Sequence, residues 1–459
     1  MNEKETGLSQ AISRREALKI MTLSMAGLAI GGPILQGCSS KGAKGSAGAE
    51  FTYTPAPDGS KIDSRQWAGI GSVGMLGLGC MRLPALPSDN PWGGPLDQEK
   101  VNEMVDYALA HGINYFDTAP AYGDSERAMG VALSRYDRSS FMLATKMSNF
   151  ARGPQAPDLA AAKAMFETSL SNLQTDYIDF FLLHALGRYD EFEQRFLSNG
   201  VLDYICSLKE SGKVKHVGFS FHGSVKDLET LLATPYKWDF VQIQMNYLDW
   251  KGDDAETLYN MLVEKNIPVA VMEPVRGGAL ASVNDSLKKL LAEKHPELSP
   301  AGTALTFVGS FPGVMVTLSG MSNMDQLKEN IATFTGFKPF DEKDNEFLMD
   351  VARLYNENPH IPCTGCAYCM PCPNGVNIPG NFAVFNSASD ALAIPDPKGA
   401  KDATYKKKSK DFLKKYQKEL EDGMRADACT NCKVCLSKCP QHIRIPDQLK
   451  MIEDLVSAL

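Results

Sequence analysis

Eight apolar, β-branched runs recur between residues 73 and 320. They are VGMLGLGCM (73–81), INYFDTA (113–119), FMLATKM (141–147), IDFFLLH (178–184), HVGFSF (216–221), FVQIQMN (240–246), IPVAVMEP (267–274) and VMVTLSG (314–320). Between them lie stretches with apolar positions at helical spacing, such as EKVNEMVDYALAHG (99–112) and LAAAKAMFETSLSNL (159–173). Strand followed by helix, repeated in this way, predicts parallel strands joined by crossover helices. Eight repeats favour a closed (β/α)8 TIM barrel of the α/β class. No G-x-G-x-x-G follows the first run, so an open dinucleotide-binding sheet lacks its fingerprint. The pattern changes in 402–424, where Phe412, Leu413, Tyr416 and Leu420 fall at helical spacing among lysines. That spacing predicts an amphipathic helix packed on a small C-terminal unit with its lysines solvated. The alternative for the lysines is a docking surface for an acidic redox partner.

The ends of the early strands are polar. Asp117 closes the second run with Tyr122 in the loop beyond, Lys146 closes the third, and His184 closes the fourth. Singly, an Asp at a strand end is a turn or cap residue, a Lys there is solvated, and a His after FFLL is a boundary residue. Barrel enzymes place their chemistry where strands end at the C-terminal face. Four such groups on three consecutive strands converge on one mouth.

Composition narrows the reading. In 459 residues the hydrophobic and charged shares, 44% and 22%, are those of a soluble globular protein, and a net charge of -8 argues against nucleic-acid binding. Eight of the eleven cysteines sit in two short runs, which points to metal ligation rather than a disulfide framework. Cys38, Cys80 and Cys206 remain. Near the N-terminus, Arg14-Arg15 with Leu18-Lys19 resembles a twin-arginine export signal, and LQGC, ending at Cys38, resembles a bacterial lipobox. The apolar run between them, about 16 residues, is short of the ~20 that span a bilayer. The expected organisation is a signal (1–38), a flexible tether (39–59), the barrel (60–340) and a C-terminal unit (341–459), with export to the periplasm or cell envelope. Any membrane attachment would run through a lipid on Cys38.

The run CTNCKVCLSKCP places Cys429, Cys432, Cys435 and Cys439 before Pro440. This C-x2-C-x2-C-x3-C-P spacing resembles the ferredoxins that hold [4Fe–4S] clusters. The upstream run CTGCAYCMPCP supplies Cys363, Cys366, Cys369 and Cys372, its last gap one residue short. GVNIP follows one run and HIRIP the other, which looks like an internal pseudo-twofold repeat. In two-cluster ferredoxins the fourth cysteine of each run serves the other cluster. The resemblance therefore implies Cys429, Cys432, Cys435 and Cys372 around one cluster, and Cys363, Cys366, Cys369 and Cys439 around the second. A four-thiolate zinc site and a single cluster are the alternatives. The C-terminal unit is thus expected to be a small, mainly helical, ferredoxin-like domain.

GINYFDTAPAYGDSE, LATKM and YIDFFLLH resemble the aldo/keto reductase family, whose catalytic tetrad is Asp, Tyr, Lys and His in this order. The resemblance implies hydride transfer between a nicotinamide, NAD(P)H, and a carbonyl. Tyr122 would be the acid, Lys146 would lower its pKa, Asp117 would hold the lysine, and His184 would orient the carbonyl oxygen. For the cofactor it implies Gln242 at the carboxamide, Ser220 beside it, and Glu329 with Asn330 at the adenine. Four positions depart from the family. Phe221 stands where Asn is expected, and Met272-Glu273 where a tyrosine stacks on the nicotinamide. Gly320 and Gln326 stand where Lys and Arg clamp the 2′-phosphate, so neither positive charge is kept.

Three functions fit. The first is an exported oxidoreductase that couples carbonyl or alcohol chemistry in the barrel to 4Fe-4S electron transfer, with a redox partner protein. The second is a nicotinamide-independent enzyme drawing on its clusters, motivated by the lack of free NAD(P)H outside the cytoplasm. The third is a non-catalytic electron-transfer subunit, which would not need all four tetrad residues. Substrate-shaping loops are expected at 83–98 and 185–200, with Trp92 and Tyr189 as candidate pocket aromatics.

Overall fold

The computed structural model describes residues 56–459 except 58, 89–93 and 151–157. The twin-arginine and lipobox motifs, Cys38, most of the expected tether, and Trp92 lie outside the described residues. Among the described residues no helix is long and apolar enough to cross a membrane.

The chain opens with an antiparallel hairpin, β1 (Ser64–Trp67) and β2 (Gly71–Gly74). Eight parallel strands follow: β3 (Leu76–Gly79), β4 (Tyr115–Asp117), β5 (Met142–Met147), β6 (Ile178–Leu186), β7 (Val214–Phe221), β8 (Phe240–Gln244), β9 (Val269–Met272) and β10 (Val314–Ser319). They close in the order β10-β3-β4-β5-β6-β7-β8-β9. All eight expected strands are present, and each lies within or overlaps its run. The first run is corrected. Residues 73–81 hold the end of the hairpin and then the barrel strand, because apolar residues continue through Met75, the single residue between the two strands. The hairpin closes the lower end of the barrel. Val73, Trp67 and Ile70 pack on the lumen residues Tyr115, Phe180, Phe240 and Met315.

The helix Glu342–Tyr355 packs Leu348, Val351, Ala352 and Tyr355 into the barrel's core. The expected boundary at 340 thus falls one helix early by packing. A second core begins at Ile361, built by Phe382, Phe385, Phe412, Tyr416, Leu449 and Ile452 from three helices, Ile378–Asp390, Ala403–Glu419 and Ile445–Ser457. Phe412, Tyr416 and Leu420 are buried, as the helical spacing of 402–424 requires. The two runs of cysteines repeat in structure as well as in sequence. Each leads into a 13-residue helix that opens on Ile-Pro, and Gly365 and Ala367 share positive φ (67° and 60°) with Asn431 and Lys433 (56° and 64°).

This small domain sits on the C-terminal face of the barrel. Gln244 and Gln441 exchange hydrogen bonds of 3.1 and 2.7 Å. His442 Nε2 donates to the His222 carbonyl at 2.7 Å, and Arg82 donates to the Thr364 carbonyl. Gly277, in left-handed backbone (φ 65°), lets Thr364 approach so closely that a Cβ there would lie 2.5 Å from the Thr364 carbonyl oxygen. Gly277→Ala should therefore loosen the seat of the domain by more than the roughly 1–2 kcal/mol of left-handed strain alone. Hydrogen exchange should rise in 361–372 while the barrel strands keep their protection. Equal protection in both proteins would disprove this.

Candidate active site

A cavity of about 610 Å3 opens at the C-terminal ends of the strands. All twelve barrel residues singled out for catalysis or cofactor binding line it: Asp117, Tyr122, Lys146, His184, Ser220, Gln242, Met272, Glu273, Gly320, Gln326, Glu329 and Asn330. The strands set this convergence. Asp117 pairs with Gly79 across β3 and β4, and Ser220 with Gln242 across β7 and β8, so each polar end residue is held in register with its neighbour.

Lys146 and Asp117 form a buried pair, Nζ to Oδ1 2.6 Å, and Nζ also donates to the Thr118 carbonyl at 2.8 Å. The ammonium lies 4.9 Å from the Tyr122 ring centre. The Tyr122 and His184 rings meet edge to face, 5.9 Å between centres. The tetrad is assembled, but one expectation about it fails. Burial, reinforced by Tyr368, Asp117 and Glu273, pushes the Tyr122 phenol well above its usual pKa. The net shift is upward, opposite to the lowering expected from a neighbouring Lys146. His184 is held well below the usual imidazole range by burial, with Lys146 and Arg195 adding to the effect, and so stays neutral. Its Nδ1 is 2.6 Å from Ser148 Oγ. With that hydroxyl donating, Nε2 is the N–H that faces the cavity.

The cofactor residues carry a test of fit. Gln242 is buried, and its Oε1 has no partner. An orphaned buried acceptor costs about 1–3 kcal/mol, and a carboxamide NH2 in the cavity would satisfy it. Ser220 Oγ accepts from the Ala185 amide at 2.8 Å, and Asn330 donates to Ser319 Oγ at 3.0 Å. Gln326 Oε1 accepts from the Ser322 amide at 2.8 Å, closing its own loop. Phe221, where an Asn was expected, packs on Phe219 inside the core. Glu273 is half-buried beside Arg82. Burial raises its carboxyl, and Arg82 and the Gly277 amide oppose the rise.

The rest of the lining overturns an expectation. No described residue of 83–98 or 185–200 reaches the cavity; its roof is Thr364, Cys366, Tyr368, Pro440 and Gln441 of the small domain. Tyr189 packs on Phe192 instead. Sequence reasoning missed Tyr368, Arg82, Ser148 and Gln441. The available signal for Tyr368 was its mismatch within the repeat, where the second run has Val434.

None of the eight clustered cysteines is in a disulfide, and they group across the runs. Cys363, Cys366, Cys369 and Cys439 line one small cavity. Burial raises the thiols of Cys363, Cys366 and Cys369, and Cys439 adds to the rise at each. Burial also raises Cys435, whose thiol neighbours are Cys429, Cys432 and Cys372. The first group abuts the barrel through Cys366, whereas Cys432 of the second is exposed. Among the described residues no His, Cys, Asp and Glu group is arranged to hold a single metal ion. Four thiols ringing a shared space, with sulfur as the only donor, fit an iron–sulfur cluster.

A profile of the aldo/keto reductase family matches residues 75–352, and one described as a 4Fe-4S dicluster domain matches 362–445. The chain belongs to the aldo/keto reductase family. Its similarity to the aldo-keto reductase YhdN of Bacillus subtilis (strain 168) is 32% identity over 295 residues, 56% of this chain and 86% of that protein. L-galactose dehydrogenase of Arabidopsis thaliana is 26% identical over 322 residues, 64% of this chain and 95% of its own. Among solved structures, the holo form of aldo-keto reductase AKR11C1 from Bacillus halodurans superposes with a TM-score of 0.51 at 26% identity, covering 63% of this chain and 96% of that one. The protein is an aldo/keto reductase-type oxidoreductase that carries a C-terminal 4Fe-4S ferredoxin-like domain. That domain roofs the family's catalytic mouth.

Proposed function

We propose that this aldo/keto reductase transfers a hydride between a nicotinamide and a small carbonyl or alcohol, and that two [4Fe–4S] clusters connect the site to a one-electron redox partner. The observation that carries the proposal is that Cys366, a ligand of the barrel-side quartet, lines the same cavity as Lys146 and Gln242. A nicotinamide bound there supplies or accepts the hydride. Gln242 would hold its carboxamide, and Glu329 and Asn330 would sit at the adenine. In the reducing direction Tyr122 delivers its proton to the oxygen, His184 Nε2–H orients that oxygen, and Asp117 holds the Lys146 ammonium against the face of the Tyr122 ring. One carbonyl reduction takes two electrons and two protons: the hydride would carry both electrons and one hydrogen, Tyr122 would give the other proton, and two one-electron clusters would return two electrons, with one proton from solvent, to the oxidised nicotinamide.

The N-terminal motifs support export by the twin-arginine route to the periplasm or envelope, with Cys38 as the lipid attachment point. A second reading, turnover without nicotinamide, is favoured by the altered corners. Met272 offers no planar face for stacking, and neither Gly320 nor Gln326 supplies a cation for a 2′-phosphate. Anaerobic, iron-loaded protein titrated with NADH and with NADPH separates the two readings. Nicotinamide fluorescence should change with saturable binding, and cluster absorbance should bleach in step. Absence of binding, together with turnover from an artificial electron donor, would replace the first reading with the second.

A further inference from the structure

Tyr368 is placed in the catalytic mouth without a role in the mechanism above. It lies between the cluster ligands Cys366 and Cys369. Its hydroxyl is 3.2 Å from His184 Nε2 and shares a hydrogen bond with the Tyr122 hydroxyl. Its ring lies 6.2 Å from that of His184 and 6.1 Å from that of Phe150. The phenolic oxygen therefore stands where the acid and the orienting imidazole meet, the point a substrate oxygen must reach. Ligand binding by the cysteine run does not require this ring. The two runs share their backbone turns, and the residue matching Tyr368 is Val434, which is 45% exposed.

We propose that Tyr368 is the specificity-determining residue of this site. Its phenol holds the substrate-oxygen seat in the resting enzyme, and a substrate enters only by displacing it. The identity of the seat rests on the function proposed above. Two hydrogen bonds must be exchanged for those of the incoming oxygen, so only ligands that restore both are admitted well. Displacement moves the segment between two cluster ligands, so occupation of the cavity and the environment of the barrel-side cluster are linked in both directions.

The test uses the full, iron-loaded chain in native, Tyr368→Phe and Tyr368→Ala forms. The binding probe is p-cresol, whose ring and hydroxyl copy the tyrosine side chain, followed by calorimetry. The turnover probe is 4-nitrobenzaldehyde with NADPH. Two hydrogen bonds at a net ~1 kcal/mol each translate to roughly tenfold or more in affinity. Accordingly p-cresol should bind Tyr368→Ala at least about tenfold more tightly than native protein, with Tyr368→Phe between them. KM for the aldehyde should fall in the same order, with the change greater in KM than in kcat. Binding of p-cresol should also shift the electron paramagnetic resonance of the barrel-side cluster. Equal p-cresol affinity in native and Tyr368→Phe proteins of equal iron content overturns the proposal. If the alanine variant loses iron, the phenylalanine variant decides, since it keeps the ring. Discrimination of p-cresol without NADPH turnover would uphold the seat and reject the nicotinamide reading. Turnover with unchanged KM and p-cresol affinity would do the reverse.

Discussion

Tyr122→Phe is expected to lower carbonyl reduction by about 10²–10⁴-fold, the usual worth of a positioned general acid, while cluster absorbance stays unchanged. The variant keeps the ring, so the Lys146 ammonium above it and the edge-to-face contact with His184 survive. Only one hydroxyl is lost, and stability should change by about 1 kcal/mol at most. The raised phenol also fixes the shape of the pH profile. A phenol above its usual range gives up its proton only to a stronger base, and the oxygen left after hydride addition is an alkoxide, far more basic than a phenolate. An acid must be protonated to act, so its activity is lost as pH rises through its pKa. Because the Tyr122 value lies well above the ordinary 10.0, kcat/KM should show no downturn from this group below pH 10. A downturn between about pH 7 and 9 would restore the lysine-lowered phenol, and activity retained in Tyr122→Phe would remove the acid role altogether. Lys146→Met is a poor substitute for this experiment. It leaves Asp117 buried and unpaired, which typically costs 3–5 kcal/mol, so lost activity would be mixed with lost fold.

The barrel was legible because parallel strands covered on both faces read as continuous apolar runs. A polar residue ending such a run is conspicuous, which is how Asp117, Lys146 and His184 were found. The hairpin was not legible. Its strands are four residues each, Ser64–Trp67 is polar, and Gly71–Gly74 merges into the next apolar run. The roof was hidden for a different reason. The contact of Tyr368 with His184 joins residues 184 positions apart, and single-sequence spacing carries no record of a contact that long. The error over Tyr122 has the same origin. Proximity of Lys146 could be argued from strand order, but burial depends on what covers the mouth, and the cover comes from residues 364–368 and 440–441. The crossed grouping of the cysteines was readable because the resemblance to two-cluster ferredoxins implies it, and the thiol neighbours of Cys363 and Cys435 agree.

Iron content should expose that crossing in a single comparison. Cys366 and Cys439 come from different runs, yet both belong to the quartet that lines the cavity beside Ile378 and Phe382. Replacing either by alanine is expected to remove one cluster, taking iron from about eight to about four per chain for two [4Fe–4S] centres. The double variant Cys366→Ala/Cys439→Ala should still hold about four, because both changes strike the same cluster. Were each run to hold its own cluster, the double variant would strike both and retain almost no iron. Cys366→Ala/Cys372→Ala reverses the test: these two share a run but serve different quartets, so the crossed arrangement predicts loss of nearly all iron. The two survivors also differ in position. In Cys439→Ala the remaining cluster is the outer one, near exposed Cys432, and its resonance should ignore ligands in the barrel. In Cys372→Ala the remaining cluster is the one beside Tyr368, and its resonance should respond to them. A response in the first variant, or silence in the second, would mean that the quartets are not divided between the cavity and the surface.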